Sequence, residues 1–304
     1  MSAGPSSRSA RAEGALATGA SFVLWGLLPV YWKALKEAGA LEIIAHRIVW
    51  SLAFTAVLVS ARGLWGEIIR ALRSWRQAIR LAASATLLSA NWLVYVWGVN
   101  HDRILETSLG YFITPLMNVA LGVIFLRERL RTTQMVALAL AAAGVGNLIL
   151  AQRLPWVALG SASTFAFYGL LRKTAVLDSL PGLAAETAML TVPACVYLAA
   201  LAIGGAGALG HTGPWTHLLL VGTGVVTAVP LLLFAFGARR VRMTTVGIFQ
   251  YLSPTGTFFL AVLVYHETFD RVQAVTFGLT WAAVALYAVD GIRQARRERA
   301  SGEA

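Results

Sequence analysis

Ten long apolar stretches follow one another along this chain, at roughly 14–33, 41–61, 81–100, 104–126, 134–151, 155–171, 183–203, 215–237, 244–265 and 272–290. Crossing the hydrocarbon core of a bilayer takes about 20 apolar residues of helix. Lipid offers no partner to a backbone N–H or C=O, so a single stretch that enters it has to be helical. The expectation is an all-α integral membrane protein with ten transmembrane helices. Composition agrees: 58% of the 304 residues are hydrophobic and 13% are charged, where a soluble domain carries about 25% charged residues. Residues 1–13 read as a short disordered lead and 291–304 as a basic tail, both cytoplasmic. No convincing cleavage site follows the first apolar stretch, so it reads as a retained helix rather than a signal peptide.

The net charge of +11 invites a nucleic-acid reading, but the cations are not gathered in one patch. They sit in the short connections between apolar runs, the pattern that sets membrane topology. With both termini cytoplasmic, 19 Lys and Arg residues fall on that side and five on the other, with Arg47 inside a span. The split predicts an N-in, C-in arrangement and no nucleic-acid partner. The single cysteine, Cys195, permits no disulfide and no Cys-based metal site, and reads as a small packing residue; no metal or cofactor is expected. In residues 64–80, Trp65, Ile68, Ile69, Leu72, Trp75 and Ile79 recur at helical spacing, with Arg70, Arg73, Arg76 and Arg80 largely opposite. Such a helix rests on the anionic cytoplasmic leaflet.

Two stretches echo one another. SLGYFITPLMNVALGVIFLRERL (108–130) and VGIFQYLSPTGTFFLAVLVYHETF (246–269) superpose at an offset of 139, which pairs Pro115 with Pro254, Glu128 with Glu267 and Gln134 with Gln273. Upstream, SFVLWGLL (21–28) matches TFAFYGLL (164–171) at an offset of 143. The chain therefore reads as two five-helix repeats, 14–151 and 155–290. Five is odd, so the second repeat enters the membrane in the opposite sense, and inverted repeats mark secondary transporters.

The prolines fit that reading. Proline removes a helical hydrogen bond and kinks the helix, and at membrane depth the freed carbonyl has to face protein or a wet cavity. Thr107, Tyr111, Pro115 and Asn118 fall on one helical face, and their counterparts are Val246, Gln250, Pro254 and Thr257. Each stripe reads as cavity lining or as polar glue between helices. Arg47 lies inside the second stretch, where a mid-helix charge costs about 2.5–3.5 kcal/mol on insertion scales. It has to face protein, water or an anion, and a carboxylate would suit it. His46 adjoins Arg47, Asn91 and Tyr95 share a face on the third stretch, and Trp25 and Trp92 lie deep enough to face either lipid or a cavity. Tyr31 and Trp32, near a span end, read as interfacial belt residues. Glu42 and Glu186, early in helices two and seven, suit either a helix dipole or proton coupling. Glu128 and Glu267 read as architecture at the membrane surface, pairing with local arginines.

WGLLPVYWKAL, AHRIVWS, NWLVYVWGVNH and the first echo stretch resemble the EamA family of the drug/metabolite transporter superfamily, in its RarD-type branch, named for chloramphenicol sensitivity. The resemblance runs through residues 14–290 and is densest in the first half. It implies an inner-membrane permease, multi-pass, with a central cavity between its halves. The resulting expectation is a secondary transporter of a small organic metabolite or drug, an exporter working by alternating access. No GxxxxGK[ST] motif is present, so ATP is not the direct driver, and a proton gradient is a plausible one. The chain is not expected to be an enzyme: it shows no HExxH, no CxxC and no nucleophile elbow. The alternatives are an integral-membrane enzyme or a non-transporting receptor or scaffold. Substrate and coupling ion stay open, as does a homodimer.

Overall fold

The structure, a computed structural model, describes residues 7–126, 131–151, 153–173, 175–238 and 249–300. Its elements are α1 (Ser7–Ala34), α2 (Ala40–Ala61), α3 (Trp65–Arg73), α4 (Trp75–Asn100), α5 (Ile104–Leu126), α6 (Thr132–Leu150), α7 (Trp156–Lys173), α8 (Ser179–Ile203), α9 (Pro214–Ala238), α10 (Leu252–Phe259), which continues as a π-helical turn over Leu260–Val264, and α11 (Arg271–Ala300). Among the described residues, seven helices are long and apolar enough to cross a membrane: α1 from Ala12, α2, α4, α6, α8, α9 to Phe234, and α11 to Asp290. The described residues form helices and no strands, because no other local structure satisfies the backbone within so apolar a sequence.

The helices pack as a connected set. α1 lies on α9 and α10; α7 lies on α4 and α5; α2 lies on α8 and α9; α4 also meets α8; α5 meets α10; and α6 runs against α11. Small residues permit the close crossings. A methyl group on Gly110 of α5 would sit 2.9 Å from the Ala158 carbonyl oxygen of α7. One on Gly26 of α1 would sit 3.1 Å from the Ser253 carbonyl oxygen. A large apolar core joins Trp32, Ile43, Val96, Leu109, Leu220 and Phe258.

The glutamine echo has a local cause. Gln134 Oε1 accepts from the Arg131 N–H at 3.1 Å, and Gln273 Oε1 accepts from the Asp270 N–H at 2.9 Å. Each glutamine closes the first turn of its own helix, α6 or α11, three residues from the amide it satisfies.

Several expectations need correction. The first helix starts at Ser7, inside the lead expected to be disordered, and α11 runs through the expected tail to Ala300. The basic amphipathic stretch is not one helix. Extended backbone at Ser74 (φ −85°, ψ 110°) ends α3, and Trp75 opens α4, so Arg76 and Arg80 belong to the foot of a long apolar helix. α5 is continuous through Pro115. A turn at Gln250 and Tyr251 interrupts the helical backbone just ahead of Pro254, and residues 241–248 before it lie outside the described residues. Pro254 sits in the first turn of α10, where no N–H is needed. Cys195 is exposed on α8 rather than packed inside. Glu128 lies outside the described residues, as do Val246 and the start of the 244–265 stretch.

Candidate functional site

Arg47 sits in the third turn of α2 and is 6% exposed. Its Nε–H donates to Thr227 Oγ1 of α9 at 2.8 Å. The guanidinium lies over the Trp92 ring at 3.9 Å and the Trp32 ring at 5.0 Å. Trp32, expected in the interfacial belt, is 0% exposed; it turns inward from α1 because the cation–π contact rewards an aromatic face beside a desolvated cation. Tyr95 and Tyr111 stand within electrostatic reach of the guanidinium, with their rings 5.3 Å apart. No ion pair joins Arg47 to an acid among the described residues. Two indoles and a threonine hydroxyl therefore surround a buried cation whose charge they do not cancel.

Other polar groups near this depth are also left without hydrogen bonds to described residues. They include both ring nitrogens of His46, Trp32 Nε1, Ser51 Oγ and Ser253 Oγ. A buried donor or acceptor without a partner costs about 1–3 kcal/mol.

The remaining expected residues divide. Asn91 is committed to packing: its Nδ2 donates to the Ser161 carbonyl at 2.8 Å and reaches Ser161 Oγ and Thr164 Oγ1 at 3.2 Å, tying α4 to α7. Trp25 is half-buried against Phe22 and Phe234, not beside Arg47. Gln250 is half-buried in the turn before α10. The Pro254 carbonyl accepts from Ser108 Oγ at 2.8 Å, joining α10 to α5. The side chains of Pro115 and Asn118 lie outside the described residues.

Two of the glutamates accept hydrogen bonds from backbone amides. Glu42 Oε1 accepts from the Ala208 N–H at 2.7 Å, pinning the α8–α9 loop. Among the described residues, Glu267 pairs with no arginine. Its two oxygens accept from the Ile104 and Leu105 N–H groups at 2.7 and 2.8 Å, which caps α5 from the α10–α11 loop. Burial raises its carboxyl above the usual range, against the pull of those amides and of Lys33. Sequence reasoning missed the capping of α7 by Glu106, whose Oε1 accepts from the Val157 N–H at 2.8 Å. A glutamate in the first turn of one helix gives no sign that it serves another.

A cavity of about 410 Å3 lies away from Arg47. It is lined at the α5–α7–α11 end by Arg103, Glu106, Arg153, Trp156 and Gln273 over an apolar floor of Leu109 and Phe277. No expected cavity residue lines it.

The EamA-like transporter family matches twice, over residues 13–150 and 154–289. The chain belongs to this family. It is 43% identical to the protein RarD of Streptomyces exfoliatus over 285 residues, which is 93% of this chain and 90% of that one. It is 41% identical to the protein RarD of Escherichia coli over 286 residues (94% and 97%). It is 42% identical to an uncharacterized transporter of Vibrio cholerae over 291 residues (94% and 96%). A solved structure shares the fold with a TM-score of 0.58 at 17% identity, covering 91% of this chain and 97% of its own. Family and hydropathy together make this a multi-pass membrane protein of the RarD-type transporters.

Proposed function

We propose that the protein is a secondary transporter of the inner (plasma) membrane that exports a small amphipathic organic solute. Ten helices cross the bilayer with both termini cytoplasmic, as two inverted repeats of five. The halves rock about a site near Arg47, alternately exposing it to each face.

The observation that carries this reading is the polar seam between the two halves. Arg47 bonds Thr227, Asn91 bonds Ser161 and Ser108 bonds the Pro254 carbonyl, each pair drawn from different halves and buried at membrane depth. Each of these bonds crosses from one half to the other, so rocking of the halves has to break and remake them. The packing pattern also supports the repeat. Exchanging α1 with α7, α2 with α8, α4 with α9, α5 with α10 and α6 with α11 turns each of the contacts α1–α9, α1–α10 and α2–α9 into another of the set, α7–α4, α7–α5 and α8–α4. The two family matches divide the chain at the same place as the echo. α3, with Ile69 and Trp65 exposed and Arg70 and Arg73 in its last turn, rests on the anionic leaflet under this topology. A solute with an apolar body and an anionic end would meet the indoles of Trp32 and Trp92 and the guanidinium of Arg47. A relative in Pseudomonas aeruginosa, 32% identical, is called a chloramphenicol-sensitive RarD protein; that name is a phenotype and leaves the solute open.

Proteoliposomes test the reading. Purified protein in sealed vesicles should exchange at least one member of a radiolabelled panel of organic acids, amino acids and amphipathic drugs, and cells lacking the protein should retain that solute. Vesicles inert to the whole panel, with cell extracts unchanged by deletion, would refute it.

A further inference from the structure

Glu186 is the second charge held in the membrane interior, and its interpretation rests on the two-repeat transporter reading above. It follows Arg47 by 139 residues, the separation that also relates Pro115 to Pro254, Gln134 to Gln273 and the first residue of α2 to that of α8. The repeat thus sets a cation and an acid at equivalent places, each about two turns inside its helix and approached from opposite faces of the membrane.

Their surroundings differ. Glu186 is 1% exposed, yet it is enclosed by polar groups. Ser84 Oγ–H of α4 donates to its Oε1 at 2.6 Å, the Tyr168 hydroxyl of α7 reaches Oε2 at 3.4 Å, and Arg172 Nη1 of α7 lies 3.6 Å from Oε1. No other titratable group acts on it among the described residues; toward α2, α3 and α9 its helix packs on Val59, Ile68, Ala71 and Leu232. A crevice of about 30 Å3, lined by Gln77, Arg80, Ser84, Arg172 and Val176, runs from the exposed foot of α4 to Ser84 and Arg172, the two residues that hold Glu186. One water needs about 10–15 Å3, so water can stand beside the partners of a carboxylate that is itself sealed from bulk.

We propose that Glu186 carries the proton that drives transport, exchanging it with the cytoplasmic face through this crevice. Hydronium delivers the proton: an O–H bond forms at a Glu186 carboxylate oxygen, one O–H bond of hydronium breaks and water remains. Release is the reverse, to water on the opposite face in the alternate conformation, and nothing is oxidised or reduced. Protonation removes the negative charge facing Arg172 and leaves two neutral hydroxyl partners. Ser84 belongs to the first half and Glu186, Tyr168 and Arg172 to the second, so one protonation state sets how firmly α4 is held at the cytoplasmic end. That linkage is what a coupled carrier requires.

Infrared pH-difference spectroscopy of the wild type and Glu186→Gln in liposomes reads the carboxyl directly. Solute flux with and without a pH gradient in the same vesicles reads the coupling. The wild type should show a protonated-carboxyl band that is absent in Glu186→Gln. The ratio of gradient-driven accumulation to solute–solute exchange should fall by about tenfold or more in the variant. Ser84→Ala, which keeps the carboxyl and removes one donor, should move the band; it decides the matter even if Glu186→Gln fails to fold. A static ion pair predicts the reverse, and either of two results would overturn the proposal: no Glu186 band that Ser84→Ala moves, or a Glu186→Gln protein still concentrating solute against a gradient. Wild-type vesicles inert to every solute would refute the transporter reading instead, while the infrared band still reports on Glu186.

Discussion

The outer rim of the bundle and the Arg47 centre treat charge in opposite ways. At the rim, each of three acids has found an amide. Glu267 takes two N–H groups of α5, Glu106 takes the Val157 N–H and Asp270 takes the Gln273 N–H. The cations are paired as well: Lys33 with Asp102, Arg103 with Glu106, Arg153 with Asp270. At the centre, Arg47 has two aromatic faces and one hydroxyl but no described acid, and neither ring nitrogen of the adjacent His46 has a hydrogen-bond partner among the described residues. Satisfied polar groups fix geometry. Unsatisfied ones cost stability, and a chain keeps them where a ligand or a second conformation completes them. Under the proposed function, the rim holds the molecule together and the Arg47 centre is where the solute binds.

The largest effect expected from breaking that division is at Arg47. Arg47→Met keeps the length of the side chain and removes an uncompensated charge. Transport of anionic solutes into proteoliposomes should fall by about 100-fold, while thermal stability in detergent stays level or rises, because replacing a buried unpaired charge with an apolar group is neutral or stabilising. A variant that unfolds several degrees earlier yet still transports would move Arg47 into the same class as the rim. Asn91→Ala should behave in the opposite sense. Its amide is spent on α7, so the loss should appear as about 1–3 kcal/mol of stability in a denaturant titration, from the stranded Ser161 carbonyl and the lost bond. Normal stability with abolished transport would return Asn91 to the solute site.

The sequence made the membrane class legible because a bilayer requires length and apolarity, and both can be counted along one dimension. It also made the glutamine echo legible, since Gln134 and Gln273 cap their own helices locally. What it hid is rotation and partnership. Trp32 stands near the end of α1, a depth at which most tryptophans face lipid, and only packing shows that it turns onto Arg47. The break that the sequence places at Pro254 lies in the turn at Gln250 and Tyr251, just before α10 starts at Leu252. Glu267 follows an apolar run as a surface glutamate would, and its partner amides lie more than 160 residues away. Thr227, which holds Arg47, is one of many threonines in apolar helices; nothing local distinguishes it.

Glu267 sharpens the comparison at smaller amplitude. Glu267→Ala leaves two α5 amides without acceptors, a loss of about 1–2 kcal/mol by analogy with N-cap removal, with transport reduced only as far as the fold suffers. Its titration gives an independent check. Burial raises the folded-state carboxyl above its unfolded value, so the unfolded chain releases its proton first as pH rises. Between the two values the folded state binds more protons, and its stability falls with increasing pH. Melting curves of wild type against Glu267→Gln should differ most in that window, the variant giving the flatter profile. A wild-type profile that rises with pH there would mean that the amides outweigh burial.

The smallest effect belongs to Arg153, which is half-exposed at the rim and paired with a solvent-facing Asp270. The Gln273 N–H, followed by Arg153 itself, holds Asp270 below the usual carboxylate range, so the acid keeps its cap when the arginine is removed. Exposed pairs are screened by salt and contribute little. Arg153→Ala should therefore leave the melting temperature within error at physiological salt, with any difference confined to low ionic strength. A large, salt-independent loss would show that the rim relies on its ion pairs as well as its amide caps, and that the line drawn here between satisfied architecture and unsatisfied function runs through the rim rather than around the centre.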